Sequence, residues 1–272
     1  MRTVRGVLLD IDGVLHVSMR PVEGAAEALR WLEQHGYRYA FVTNTTTMAR
    51  STLAQRLQEI GLPVSAEQLI TAPMATAAYL RRVYPGKRCW LLSKGDTAAD
   101  FAGIELVDPL RPDDVEREDI AAVVIGGAEE LLSYENMNRA FRLLMAGADL
   151  VAMHKNLYWR VSDGLRLDSG PFVFALELAS GKQAVVIGKP ERAFFEEAVR
   201  LLGTAPEETL MVGDDLVNDV QGARRAGLRA LLVCTGKHGP DTPLLKEGRP
   251  EERPEVLLPS VAALPDYLAG QG

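Results

Sequence analysis

Short apolar runs alternate with amphipathic stretches along this chain. "GVLL" (6–9) is continuously apolar and reads as a buried strand. In "EGAAEALRWLEQHG", Ala25, Ala28, Leu29 and Leu32 recur at i, i+3, i+4 and i+7, the period of a helix with one buried face. Gly36 is placed to close that helix. "YRYAFV" predicts a second strand, which runs into "TNTTT" and then "MARSTLAQRLQEIG". There Leu53, Leu57 and Ile60 share a helical face ahead of Gly61. Much later, "AVVIGKP" (184–190) predicts a β-branched strand ending at Lys189, with Pro190 opening the helix "PERAFFEEAVRLLG". "TLMV" is a further strand, ending at "GDD", and "VNDVQGARRAG" continues as helix to Gly227. "LRALLV", a Pro/Gly-rich loop from Gly236 to Pro254, "EVLLPS" and a helix from Ser260 complete the pattern.

Strand–helix alternation of this kind predicts an α/β fold, a Rossmann-like parallel sheet with helices on both faces. The middle carries its own strands ("RCWLLS", "AAVVIGG", "DLVAM") and a helix ("YENMNRAFRLLMAG"). It lies between two halves of one domain, so residues 1–80 plus 182–272 are expected to form a core and 81–181 an inserted α/β cap. Gly164, Gly170 and Pro171 punctuate the chain as turn and hinge, ahead of a helix expected to return to the core.

Four apolar runs of the core end alike: VLL in Asp10, AFV in Thr43 and Asn44, VVIG in Lys189, and LMVG in Asp214 and Asp215. In a parallel sheet these ends gather at one edge, where α/β folds bind ligands. Asp10 and Asp12 are two apart, which on extended backbone places both on one face. Asp215 and Asp219 are four apart and share a face of a helix start, where they repel. Five carboxylates in one crevice exceed the single charge of Lys189, so a divalent cation is expected. An all-oxygen donor set without His or Cys favours Mg²⁺ over Zn²⁺. Thr43, Asn44 and the free N–H groups of the following helix suit an oxyanion such as phosphate. Together these groups suggest phosphoryl transfer.

Composition narrows the setting. The chain has 272 residues, 47% hydrophobic and 25% charged, which is globular. Net charge is −7 and no basic cluster stands out, which argues against nucleic acid or an anionic membrane surface as partner. Two isolated cysteines, Cys89 and Cys234, form neither a disulfide framework nor a thiolate zinc site. With no signal-like N-terminus and no long apolar run, a soluble cytoplasmic protein is expected.

The motifs "DIDG", "VTN", "KP" and "GDDLVND", in that order, resemble those of the haloacid dehalogenase (HAD) superfamily phosphatases. The long insertion between the second and third resembles the branch with a large C2-type α/β cap, which includes NagD-like and 4-nitrophenylphosphatase-like enzymes. "AMHKNLYW", "DGLRLDSGPFVFALE" and "VVIGKPE" resemble the phospholysine phosphohistidine inorganic pyrophosphate phosphatase group and its hydrolase-domain relatives. The resemblance implies Asp10 as nucleophile, forming an aspartyl-phosphate, and Asp12 as acid and then base. It implies Mg²⁺ on the side chains of Asp10 and Asp214 and the backbone carbonyl of Asp12, with Asp215 and Asp219 as outer acids. Thr43 and Asn44 would bind the phosphoryl group and Lys189 would bridge it to the nucleophile. Some relatives lack an acid where Asp12 stands. Relatives often carry a basic residue soon after "TN"; here the first is Arg50.

The cap would close over the crevice and set specificity. Its strand-end patch offers His154, Lys155, Asn156 and Tyr158 to a leaving group; equally, such a His is often simply hydrogen-bonded, and Tyr158 and Trp159 can pack in a core or subunit interface. The expected function is a Mg²⁺-dependent phosphatase of a small phosphorylated metabolite, with a cap-mediated homodimer implied by relatives. The competing readings are a phosphotransferase, a dehalogenase, a receiver-like phospho-accepting protein and an idle scaffold. The acids around Asp214 argue against a dehalogenase, which needs no metal. Chain length and the insertion argue against a receiver, and the complete set of catalytic groups argues against a scaffold.

Overall fold

The computed structural model describes residues 3–107, 119–161, 164–243, 245 and 249–271. The chain divides into two compact units, Met1–Thr43 with Ser51–Ile70 and Lys189–Gly272, and Asn44–Arg50 with Thr71–Gly188.

The first unit is built on a six-stranded sheet of order β15-β14-β13-β1-β4-β5. Its strands are β1 (Gly6–Leu9), β4 (Arg38–Thr43), β5 (Leu69–Thr71), β13 (Thr209–Gly213), β14 (Arg229–Val233) and β15 (Leu257–Leu258). β1 pairs in parallel with β4 on one side and β13 on the other. The chain builds outward from β1 in one direction, then returns to build in the other, so β1/β13 is a topological switch point. Every residue of β1 and β13 is buried, as expected for strands covered on both faces. The helices are α1 (Ala25–Gln34), most of α2 (Arg50–Glu59), α6 (Arg192–Leu202), the short α7 (Gly222–Arg225) and α8 (Leu264–Ala269). α1 buries the four residues its period picked out. It ends as a Schellman motif, with Tyr37 N–H on the Leu32 carbonyl and Gly36 N–H on that of Glu33. A two-stranded hairpin, β2 (His16–Val17) and β3 (Arg20–Pro21), follows β1.

The second unit has a five-stranded, all-parallel sheet of order β12-β9-β8-β6-β7. These strands are β6 (Arg88–Leu92), β7 (Glu105–Val107), β8 (Ile120–Ile125), β9 (Asp149–Ala152) and β12 (Val185–Val186). Side chains alternate between two cores. Trp90, Leu92, Val123 and Ile125 pack with Ala140 and Leu144 of α4 (Tyr134–Met145) and Val173 and Leu176 of α5 (Gly170–Ser180). Cys89, Leu91, Ala122 and Val124 pack with Ala72, Ala77 and Leu80 of α3 (Ala72–Val83). A hairpin of β10 (Tyr158–Val161) and β11 (Gly164–Leu167) lies outside that sheet.

Three expectations about elements change. Residues 71–80, assigned to the core from sequence, cluster with the second unit, because α3 covers one face of its sheet. The helix beginning at Gly170 and Pro171 packs within the second unit and does not return to the core. The strand expected up to Lys189 is two residues long and pairs with β9 in the second sheet, so Lys189 enters the first unit on a turn and not on a core strand. Pro190 follows a cis peptide bond, and helix α6 begins only at Arg192. Among the described residues, no helix is long and apolar enough to cross a membrane.

Candidate active site

Parallel register carries three strand ends to one edge of the first sheet. Leu9 lies opposite Val212 and Phe41, so Asp10 and Asp214, just past their strands, and Thr43, at the end of its own, stand at nearly one level. Asp10 is buried and its N–H donates to the Val212 carbonyl at 2.9 Å. Thr43, the last residue of β4, is also buried.

Lys189 sits among these groups, 3% exposed. Its Nζ donates to Asp10 Oδ1 at 2.7 Å, to Asp219 Oδ1 at 2.7 Å and to the Val42 carbonyl at 3.3 Å. Burial alone would lower the Lys189 pKa, but the flanking Asp10 and Asp219 carboxylates outweigh it and hold the ammonium above its ordinary range. Lys189 is therefore a permanent cation here.

Asp10, Asp214 and Asp219 bring carboxylate oxygens within 4.8 Å of one another, all in buried side chains. Burial pushes Asp10 up to about 7, with the Asp214 and Asp12 charges adding and Lys189 opposing. Asp214 is pushed up to about 7 by burial and by the charge of Asp219, against the N–H of Lys237. Asp219 is pushed up to about 7 by burial and by Asp10, again against Lys189. One ammonium against three carboxylates leaves two negative charges in excess when all are ionised. A divalent cation matches that excess, and an all-oxygen donor set suits Mg²⁺ or Ca²⁺. The site also keeps room around Asp214. A Cβ on Gly13 (φ +82°) would lie 2.3 Å from Asp214 Oδ2, and one on Gly236 would lie 2.0 Å from it. The residues present thus fit a hard divalent cation.

The expected group of five carboxylates is divided. β1 ends at Leu9 and the chain turns, so Asp12 does not share Asp10's surroundings; its side chain is 68% exposed and outside the buried cluster. Asp215 and Asp219 do not stand side by side on a helix face, because Asp215 is the N-cap of a π-helical turn (Leu216–Gln221), although its charge still helps to raise Asp219. Its Oδ1 accepts the N–H groups of Val217 and Asn218, and its Oδ2 lies 2.7 Å from Lys237 Nζ. Burial pushes Asp215 up, yet Lys237 and these donors prevail and hold it below the usual carboxylate range. Asp219 turns the other way, to Lys189, and its Oδ2 accepts the Asp215 N–H at 3.1 Å.

The helix after Thr43 and Asn44 begins only at Arg50. The N–H groups of Ala49 and Arg50 are taken by Asp96 Oδ1 at 2.8 Å and Asp100 Oδ2 at 3.0 Å. That helix start is therefore not an open oxyanion site, and Arg50 itself is engaged by Asp100. Asn44 begins the second unit and lies against Gly188. In the same unit, His154 is buried, with Nε2 3.4 Å from Thr46 Oγ1 and Nδ1 accepting the Asn156 N–H at 3.3 Å. Lys155 pairs with Glu177 at 2.7 Å and lies over the Phe174 ring. The Asn156 carbonyl accepts the Gly170 N–H, and Tyr158 is half-exposed on β10.

Sequence reasoning passed over "GKH" (236–238), which follows β14 as another polar strand end. Lys237 N–H donates to Asp214 Oδ2 at 2.5 Å, and His238 Nδ1 accepts the Leu216 N–H at 3.1 Å. The strand-end rule that found Asp214 would have found these residues; the Pro/Gly-rich loop beyond masked them. His16, buried beside Asp12, was missed as well.

Comparison with known proteins agrees with this geometry. Residues 7–106 match the haloacid dehalogenase-like hydrolase family, and 186–264 match a second HAD-hydrolase-like family. The chain is 43% identical to haloacid dehalogenase-like hydrolase domain-containing protein 2 of Bos taurus, over 87% of this chain and 86% of that one. It is 37% identical to the phospholysine phosphohistidine inorganic pyrophosphate phosphatase of Homo sapiens, over 97% of this chain and 94% of that one. Among solved structures, p-nitrophenyl phosphatase from Archaeoglobus fulgidus superposes with a TM-score of 0.86 at 26% identity, covering 98% of this chain and all of that one.

Proposed function

The chain belongs to the haloacid dehalogenase-like hydrolase family and is a phosphatase of it, and we propose that it hydrolyses small phosphate monoesters through a phosphorylated Asp10 with the help of Mg²⁺. The observation that carries this reading is the buried Asp10–Lys189–Asp219 chain, with Asp214 beside it, at the switch point of a parallel sheet.

Asp10 is placed as the nucleophile. Lys189 on its Oδ1 opposes the upward push of burial on this carboxyl and fixes its rotamer. A carboxylate oxygen of Asp10 attacks phosphorus and the bond to the leaving oxygen breaks. Asp12, exposed beside the cluster, gives its proton to that oxygen. Asp12 then takes a proton from water as the water attacks phosphorus. The Asp10–phosphorus bond breaks and phosphate is released. Both oxygens of Asp219 accept hydrogen bonds, from Lys189 and from the Asp215 N–H, so Asp219 is assigned to hold Lys189. Asp10 and Asp214, with the backbone carbonyl of Asp12, are assigned to the cation, and Asp215 braces the turn that carries Asp219. When bound, the cation offsets the carboxylate charge and that of the phosphoryl oxygens. Thr43 and Asn44 are assigned to the phosphoryl group. Substrate choice is assigned to the segment that carries His154, Lys155, Asn156 and Tyr158, in which His154 meets Thr46 and Lys155 pairs with Glu177.

A phosphatase screen over a panel of phosphorylated metabolites, run with Mg²⁺ and with EDTA, tests the reading. Activity is expected with Mg²⁺ only, and in wild type but not Asp10→Asn. Activity that survives EDTA or Asp10→Asn overturns the mechanism.

A further inference from the structure

Of the two catalytic aspartates, Asp10 is locked by Lys189, while Asp12 lies largely in solvent outside the buried cluster. An acid/base must hold its proton within hydrogen-bond reach of the reacting oxygen, and an exposed aspartate samples several rotamers. His16 is placed to answer this need. His16 is 3% exposed, and its Nε2 lies 3.6 Å from Asp12 Oδ1. Its Nδ1 is buried with no hydrogen-bond partner among the described residues. A buried imidazole ordinarily satisfies both nitrogens. Among the described residues, Nε2 faces the Asp12 carboxylate.

We propose that His16 is a positioning residue that orients Asp12 for proton transfer. This rests on the acid/base role assigned to Asp12 above. The backbone sets the spacing of the pair. Gly13 N–H donates to the His16 carbonyl at 2.8 Å, and Leu15 N–H donates to that of Ile11 at 2.9 Å. His16 is held opposite Pro21 in the β2–β3 hairpin. The two turn residues, Ser18 and Met19, have φ of +50° and +59°, the left-handed conformation that tight hairpin turns require. A hairpin with a two-residue turn has a single register, so His16 cannot slide relative to Asp12. With Nδ1 bare and enclosed, the proton belongs on Nε2, the nitrogen that faces Asp12. At 3.6 Å the contact is longer than a hydrogen bond, and catalytic contacts of this kind tighten when substrate binds.

The test compares two substrates of similar shape, phenyl phosphate and p-nitrophenyl phosphate. Phenolate is the more basic leaving group and needs Asp12's proton; nitrophenolate departs with little help. Gln places a donor where Nε2 was, and Asn places one where Nδ1 was. His16→Asn is expected to lower kcat/KM for phenyl phosphate about tenfold or more while leaving p-nitrophenyl phosphate within about threefold. His16→Gln should recover most of the loss. Asp12→Asn, run in parallel, should show the same leaving-group bias more strongly. Equal losses on both substrates in His16→Asn, or equal behaviour of Asn and Gln, would mean that His16 only packs, and would overturn the proposal. A bias in Asp12→Asn with none in the His16 variants overturns the His16 proposal and leaves the phosphatase mechanism standing. No bias in Asp12→Asn overturns the acid/base role itself. If His16→Asn does not fold, the bias is read from His16→Gln against wild type: a shared profile supports the proposal, and equal losses on both substrates refute it.

Discussion

The two parallel sheets of this protein end in polar groups at comparable places and use them differently. In the second unit, strand-end polarity is balanced locally. Thr46 Oγ1 accepts the Gly127 N–H, its carbonyl accepts Ser93 Oγ, and His154 joins the same group as a neutral ring. Lys155 meets one carboxylate, Glu177. In the first unit the balance fails by design of the sequence: Lys189 faces Asp10 and Asp219 with Asp214 close by, and negative charge is left over in a buried place. A polar strand end is thus common to structure and function. An excess of one sign of charge in a buried place is what singles out the proposed reaction centre, since structure alone gives no return for it.

The two lysines offer the sharpest test of that contrast. Lys189→Met leaves facing carboxylates without a cation, so activity should fall by roughly 10³-fold or more and stability by about 3–5 kcal/mol. Lys155→Met should cost about 1–2 kcal/mol through the half-paired Glu177, with kcat within about twofold. Thermal melts and initial rates on both variants decide it, and equal effects would erase the distinction between the sheets.

Gly13→Ala probes the space kept around Asp214. A methyl group 2.3 Å from Oδ2 must displace that carboxylate, so the Mg²⁺ concentration for half-maximal activity should rise by roughly tenfold or more. Gly147, which also has positive φ (+118°) but nothing within 4 Å of a Cβ, is the control. Gly147→Ala should cost only about 1 kcal/mol of stability and no activity.

Cation removal separates the units thermodynamically. Mg²⁺ at about a hundred times its dissociation constant should stabilise the wild type by roughly 2.7 kcal/mol. Asp214→Asn should lose that gain, yet be more stable than wild type in EDTA, because one buried charge is gone. An Asp214→Asn protein that still gains stability from Mg²⁺ would remove Asp214 from the cation site.

The effects of pH have opposite signs in the two units. The carboxyls of Asp10, Asp214 and Asp219, raised to about 7, bind more protons folded than unfolded. In EDTA their contribution is therefore intact below about pH 4 and is lost as pH rises towards 7. Burial lowers the pKa of His154, with Asp168 opposing. Its contribution is present above the ordinary histidine value of 6.5 and is lost as pH falls below it. Hydrogen exchange resolved by segment should show the β1 and β13 amides weakening with rising pH and the β8 and β9 amides weakening with falling pH. His154→Gln should flatten the second trend only.

Much of this was legible in the chain. The i, i+3, i+4, i+7 spacing in α1 named its four buried residues, and the apolar runs before Asp10, Thr43 and Asp214 placed those groups at strand ends. The four motifs pointed to the family that the relatives establish. Lys189 does stand against Asp10 and Asp219, but the strand that precedes it belongs to the other sheet and not to the core sheet expected from sequence.

The sequence by itself determined the periods: which residues of each helix and strand face a core, and which polar residues stand where an apolar run stops. These are local properties, repeated every 3.6 or 2 residues, and they survive any arrangement of the segments. Tertiary structure alone decided the partnerships. It divided Asp215 from Asp219 by making one an N-cap to Lys237 and turning the other to Lys189. It sent Asp12 out of the cluster that holds Asp10, set His16 beside it, and gave α3 to the second sheet. Charge balance and contact depend on segments far apart in sequence meeting at distances of a few ångströms, and no local period encodes which of them meet.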